Sequence, residues 1–174
     1  MYDAIVVGAR CAGSPTAMLL ARKGYRVLVV DRATFPSDTF RNHVLLYPAV
    51  RQLQRWGLLD RIVATNSPPI RQFTQDMGDF PLTGNVLETD GIDALYGPRR
   101  KYLDKILVDA AVEAGAEVRE GFSVQDLLRT GGRVTGIRGR TAAGTIVTEQ
   151  ARIVIGADGL HSIVARQVGA PTYN

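Results

Sequence analysis

Apolar residues fall along this chain in two kinds of stretch, short unbroken runs and runs at helical spacing. Tyr2 to Val7 is β-branched and apolar on both alternating faces, the pattern of a strand buried inside a parallel sheet. It ends at Gly8. Ser14 to Lys23, rich in Ala and Leu, predicts a helix closed by Gly24. A second apolar strand, Tyr25 to Val30, stops at Asp31. Strand, glycine-rich turn, helix and strand together take about thirty residues, the size of a βαβ crossover.

Further along, Pro48 to Trp56 predicts an amphipathic helix ending near Gly57. The stretch from Asn66 to Pro98 is broken by Pro and Gly and predicts irregular structure with short strands. Leu103, Ile106, Leu107, Ala110 and Ala111 recur at helical spacing and mark a helix over Lys101 to Ala114, closed by Gly115. Glu117 to Arg119 then reads as a strand. Ser123 to Leu128, Arg133 to Arg140 and Thr145 to Thr148 read as an antiparallel meander broken at Gly131, Gly132 and Gly144. Ala151 to Ile155 is expected to be a separate buried strand running into Gly156. The expected architecture is one α/β unit, a Rossmann-like doubly wound sheet with a β-meander, carrying an insertion over about residues 34–98 that belongs to a substrate domain.

Composition narrows the setting. With 174 residues, 45% hydrophobic and 22% charged, the chain can build one ordinary core. Cys11 is the only cysteine and forms no internal disulfide, and the amino terminus lacks a signal-peptide pattern, so a cytoplasmic location is expected. Runs such as Ala4 to Val7 and Val27 to Val30 are far shorter than the roughly 20 residues that span a bilayer, so no membrane segment is expected. The net charge of +4 comes from 21 basic and 17 acidic residues. The arginines are dispersed and no aromatics interleave with basic runs, which argues against a nucleic-acid surface. Lys23, Lys101 and Lys105 are the only lysines, so the positive charge is nearly all arginine, which suits phosphate and equally follows from residue usage. His43 and His161 lack metal-ligand spacing and an acid–base partner, and no metal is expected.

The chemistry is concentrated at Gly8-Ala9-Arg10-Cys11-Ala12-Gly13, set between the first strand and helix and followed one strand later by Asp31. That is a dinucleotide-binding fingerprint in its structural context. Gly8 permits the tight turn, Gly13 lets the helix pack on the sheet, and the amides at the helix start, Ala12 among them, hold a pyrophosphate. Asp31 accepts from the ribose hydroxyls, with Arg32 beside it in the cofactor site. Arg10 departs from the pattern. It stands where a second glycine usually lets the backbone approach the pyrophosphate, so its Cβ crowds that approach while its charge suits phosphate. Cys11 is either a thiol at a helix start or a small side chain filling the turn.

Near the other end lies Gly156-Ala157-Asp158-Gly159, followed by Ser162 and Arg166, and the long helix is preceded by Arg99-Arg100-Lys101-Tyr102-Leu103. With the first motif, these resemble the FAD-dependent aromatic hydroxylase family typified by p-hydroxybenzoate hydroxylase, in order and over nearly the whole chain. The resemblance implies that Gly8 and Gly13 form the FAD pyrophosphate loop and that Asp31 is the ribose acid. It further implies that Arg100 contacts flavin, Arg41 contacts the pyrophosphate, and Asp158 is the acid of a second FAD and pyridine-nucleotide signature. The implied activity is that of an FAD-dependent oxidoreductase, a monooxygenase that takes electrons from NAD(P)H and inserts one oxygen atom of O₂ into a small organic substrate. A flavin-dependent reductase of prenyl chains and a non-catalytic FAD-binding fragment are the alternatives. A halogenase is disfavoured because no lysine lies between Lys23 and Lys101. Members of the family carry a further Gly-Asp-type motif that this sequence lacks. The chain is therefore expected to be the amino-terminal part of a larger flavoprotein, inactive alone, and to self-associate through an apolar edge.

Overall fold

The computed structural model describes residues 1–39 and 44–172. Two compact units form, one from Met1–Ser37 with Leu107–Asn174, the other from Asp38–Ile106. The second unit starts close to the expected insertion but runs beyond Pro98 into the long helix.

The first unit is built on β1 (Tyr2–Val7), with β2 (Val27–Val30) on one side and β10 (Ile146–Gly156) on the other, both parallel to it. Beyond β2 lies β7 (Glu117–Arg119), also parallel. Beyond β10 come β9 (Arg133–Arg140) and β8 (Ser123–Thr130), both paired antiparallel, so the order is β7-β2-β1-β10-β9-β8. Every residue of β2 is buried because both faces of the sheet are covered. On one face Ile5, Val7, Leu28 and Val30 join Phe122, Leu127, Ile137 and Val164 in a single core. The opposite face carries α1 (Gly13–Arg22), and the Val6 side chain faces the helix backbone at Gly13.

The structure corrects two strand boundaries. The second strand begins at Val27 because Tyr25 is exposed and the Arg26 backbone is bound to Asp3, whose Oδ2 accepts from Arg26 N at 2.9 Å. The two strands expected at 145–148 and 151–155 are one strand, β10. Its amino half, Ile146 to Gln150, pairs with β9, and its carboxyl half, Ala151 to Gly156, pairs with β1. Gly136 lies at the changeover, where a Cβ would stand only 3.0 Å from Gln150 Cα. A short helix, α5 (Ile163–Val168), follows and was not foreseen.

The second unit contains α2 (Tyr47–Trp56), closed by Gly57 at φ 74°, and the unforeseen α3 (Leu59–Val63). The short strands expected between Asn66 and Pro98 are the paired β3 (Pro69–Ile70) and β6 (Leu95–Tyr96), and a hairpin of β4 (Gln72–Asp76) and β5 (Pro81–Asn85). Helix α4 (Arg100–Glu113) has its first turns in this unit. Among the described residues no helix is long and apolar enough to cross a membrane.

Candidate cofactor site

Three neighbouring parallel strands release the chain at one edge of the sheet. β2 ends into Asp31, β1 into Gly8, and β10 into Gly156-Ala157-Asp158. The ladder continues past their ends, with Gly8 N donating to Val30 O at 2.8 Å and Ala157 N donating to Val7 O at 2.7 Å. From β1 the chain goes through α1 to β2, while β10 lies on the other side, so Gly8 marks the switch point of the sheet. Ligands of doubly wound sheets bind in the crevice outside the carboxyl ends of the strands at such a point.

The loop is compact because two glycines allow backbone to meet backbone. Gly8 has φ 102°, and a Cβ there would overlap the Ala157 carbonyl, 2.7 Å from its carbon and 3.0 Å from Asp158 Cα. At Gly13 a Cβ would be driven into the Gly8 carbonyl, 2.8 Å from its carbon. Buried Ser14 donates its hydroxyl to Ala9 O at 2.7 Å and fixes the loop from beneath. Asp31 holds it from the side, Oδ2 accepting from Ala9 N at 2.7 Å and Oδ1 from Ala33 N at 2.8 Å.

These contacts fit a bound dinucleotide. An ionised carboxylate offers about four acceptor sites, so two remain on Asp31 for ribose hydroxyls. Ser14 N is taken by Arg10 O, whereas the amides of Ala12 and Gly13, at the amino end of α1, have no acceptor among the described residues. Cys11 and Ala12 are exposed at the same place.

Arg10 resolves the conflict between its side chain and the glycine pattern by reaching sideways. Its Nη2 donates to Ser37 Oγ at 2.9 Å, and the guanidinium carbon lies 5.4 Å from the centre of the Phe35 ring. Phe35 is itself held by its amide on Glu120 Oε2 at 2.8 Å. Arg32 is exposed beside Asp31.

Asp158 is committed to α5. Ser162 Oγ donates to its Oδ1 at 2.6 Å and Ile163 N to its Oδ2 at 2.7 Å, while Ser162 Oγ caps the helix by accepting from Ala165 N at 2.9 Å. Those bonds keep the Ala157–Asp158 backbone where Gly8 meets it. Gly156 belongs to the same packing, since a Cβ on it would lie 2.9 Å from Val164 Cβ.

Gly8, Gly13, Asp31 and Asp158 thus come together in the first unit. Arg100 lies in the second unit, at the start of α4, paired with Asp104. Arg41 and His43 lie outside the described residues, and His161 is exposed. No cluster of His, Cys, Asp or Glu suited to a metal is present among the described residues. Ser14, Ser37 and Asp104 were not singled out from the sequence. Ser14 had a visible signal, a hydroxyl directly after the last fingerprint glycine, and Asp104 had one in its i,i+4 spacing from Arg100 on a helix, whereas the partner of Ser37 depends on tertiary packing.

A separate polar network ties β1 to β7 and β10. Tyr2 OH donates to Glu117 Oε2 at 2.6 Å, and Arg119 bridges Glu117 Oε1 at 2.8 Å and Glu149 Oε1 at 2.5 Å. The Tyr2 hydrogen bond, with Arg119 adding to it, holds the Glu117 carboxyl below its ordinary range, while burial and then the bond to Glu117 push the Tyr2 phenol up.

Sheet order, switch-point loop and strand-end acid define a dinucleotide-binding α/β domain. The chain matches the FAD binding domain family over residues 1–174 and belongs to it. It is similar to protein FixC of Salmonella typhi, at 32% identity over 97% of this chain and 39% of that protein. It is similar also to the digeranylgeranylglycerophospholipid reductase of Methanothrix thermoacetophila, at 31% identity over 98% of this chain and 42% of that one. Among solved structures, the myxobacterial chondrochloren halogenase CndH superposes with a TM-score of 0.80 at 27% identity, covering 90% of this chain and 38% of that one. The chain spans about two fifths of the length of the curated relatives it matches.

Proposed function

We propose that this chain is the FAD-holding part of an NAD(P)H-dependent monooxygenase that hydroxylates an organic substrate. The observation that supports this reading most is the packing of Ala157 and Asp158 against Gly8, which joins the two signatures of the hydroxylase family at one strand edge. Bound FAD supplies the redox chemistry, and the protein supplies grip and orientation. In this reading Ala12 and Gly13 donate their amides to the pyrophosphate and Asp31 accepts from the ribose. Arg32, exposed beside Asp31, adds positive charge for the phosphates. The curated relatives are more than twice as long as this chain, and FAD binding is the part of the activity assigned to its 174 residues.

A second reading, reduction of a prenyl chain, is favoured by the 31% identity to a reductase whose name specifies such a substrate. Oxygen consumption separates the two. Full-length protein loaded with FAD and given NADH or NADPH should take up O₂ in proportion to hydroxylated product. Reduction of a prenyl substrate under argon, with no O₂ uptake in air, would replace the hydroxylase reading with the reductase one.

A further inference from the structure

Within the first unit, the segment that leaves β2 is clasped by the turn that leaves β7. Asp31 N donates to Arg119 O at 3.1 Å, Phe122 N to Asp31 O at 2.8 Å and Gly121 N to Ala33 O at 3.1 Å, so these bonds run from backbone to backbone. Phe35 is the exception. Its amide donates to a side chain, Glu120 Oε2, at 2.8 Å. Phe35 is buried and its amide needs an acceptor, whereas Glu120 is an exposed residue that reaches in to supply one.

Phe35 in turn forms the seat of Arg10. The Arg10 guanidinium carbon lies 5.4 Å from the centre of the Phe35 ring, within the range of about 6 Å over which a cation is drawn to an aromatic face. Two residues further on, Ser37 Oγ accepts from Arg10 Nη2 at 2.9 Å. Arg10 stands in the turn between Gly8 and Gly13, beside the amides of Ala12 and Gly13, so the place its side chain takes decides how much room that turn leaves. Asp31 does not depend on Glu120, because its own N and O are paired with Arg119 and Phe122. We infer that Glu120 is a positioning residue: by holding the Phe35 amide it keeps the seat on which the Arg10 guanidinium lies sideways, clear of the path of the pyrophosphate. The inference rests on the preceding reading, in which the Gly8 loop holds the pyrophosphate of FAD.

FAD titrations of the protein, with displacement by ADP and melting of the FAD-free forms alongside, test both. A hydrogen bond to a charged acceptor is worth about tenfold or more, and the part of it that reaches the loop should make Glu120→Ala bind FAD about threefold to tenfold more weakly. Glu120→Gln removes the charge but keeps an acceptor for the Phe35 amide, so it should bind FAD close to wild type. In the Arg10→Gly background Glu120→Ala should cause no further loss, since no side chain is left there to seat. Glu120→Asp draws the carboxylate back by one methylene and carries the comparison if Glu120→Ala does not fold. Wild-type affinity in Glu120→Ala would overturn the inference. An equal loss from Glu120→Ala in both Arg10 backgrounds would do the same by showing a purely structural role, and an equal loss in Glu120→Gln by assigning the effect to charge. Wild-type protein from which ADP displaces no FAD would remove the site, and the inference with it.

Discussion

Gly8 and Ala157, nearly 150 residues apart in sequence, are packed so closely that a Cβ on Gly8 would overlap the Ala157 carbonyl and approach its carbon to 2.7 Å. That contact joins the first cofactor motif to the last one in the chain. It explains why the turn after β1 takes glycine for two independent reasons, a φ of 102° and the absence of room.

Gly8→Ala should therefore destabilise the fold as well as the site. Forcing a side chain into that backbone region costs about 1–3 kcal/mol before the overlap is relieved. For a domain of this size that corresponds to a melting temperature lower by roughly 2–12 °C. Calorimetry of the variant checks this, and a wild-type melting curve would show that the loop and the Ala157 segment move apart freely.

Asp31 holds the loop and, in the proposed reading, the ligand as well. Asp31→Ala leaves the amides of Ala9 and Ala33 without their acceptor, each worth about 1–3 kcal/mol if it stays dry, and would also remove the proposed ribose contact. The expected result is a lower melting point without FAD and an affinity for FAD at least tenfold weaker. A variant that melts like wild type and binds FAD equally well would release Asp31 from both roles.

Arg10 acts through the segment that follows β2. Arg10→Gly restores the glycine pattern but releases Ser37 and the face of Phe35, so FAD affinity should fall and protease cleavage within residues 32–38 should quicken. Ser37→Ala should reproduce part of both effects. Tighter FAD binding by Arg10→Gly would mean that the side chain merely obstructs the pyrophosphate.

The Tyr2–Glu117–Arg119 network gives stability a pH window. The Glu117 carboxyl is depressed in the folded state, so its contribution is present above the unfolded value of about 4.3 and is lost as pH falls through the folded one. The Tyr2 phenol is raised, so its contribution holds below about pH 10 and is lost as pH rises through the folded value. Melting temperature should drop on both sides of that window, and Glu117→Gln should reduce the acid-side drop. An identical acid limb in Glu117→Gln would remove this residue from the account.

Much of the first unit was legible in the sequence because its signals are local. Tyr2 to Val7 is apolar on both faces, Gly13 follows Gly8 at the fingerprint spacing, and Asp31 ends the next apolar run. What stayed hidden depends on distant partners. The split of β10 between β9 and β1 is set by which neighbour each half meets, and residues 145–155 show no break in composition that would reveal one continuous strand. The hydrogen bonds of Asp158 could not be read without α5, a helix of only six residues whose cap is Ser162. The hairpin of β4 and β5 is exposed on both faces, so it lacks the alternation that marks a strand packed on one side. Asp104 looked like any acid on an amphipathic helix because its burial is a property of the packing around α4.

The central claim is that the first unit grips FAD by its adenosine diphosphate half, through the Gly8 loop and Asp31. Competition titration of the protein with FAD, followed by flavin fluorescence, tests it most directly. The account predicts one saturable site from which ADP displaces FAD and riboflavin does not. Absence of saturable binding, or displacement by riboflavin with ADP inert, would contradict it.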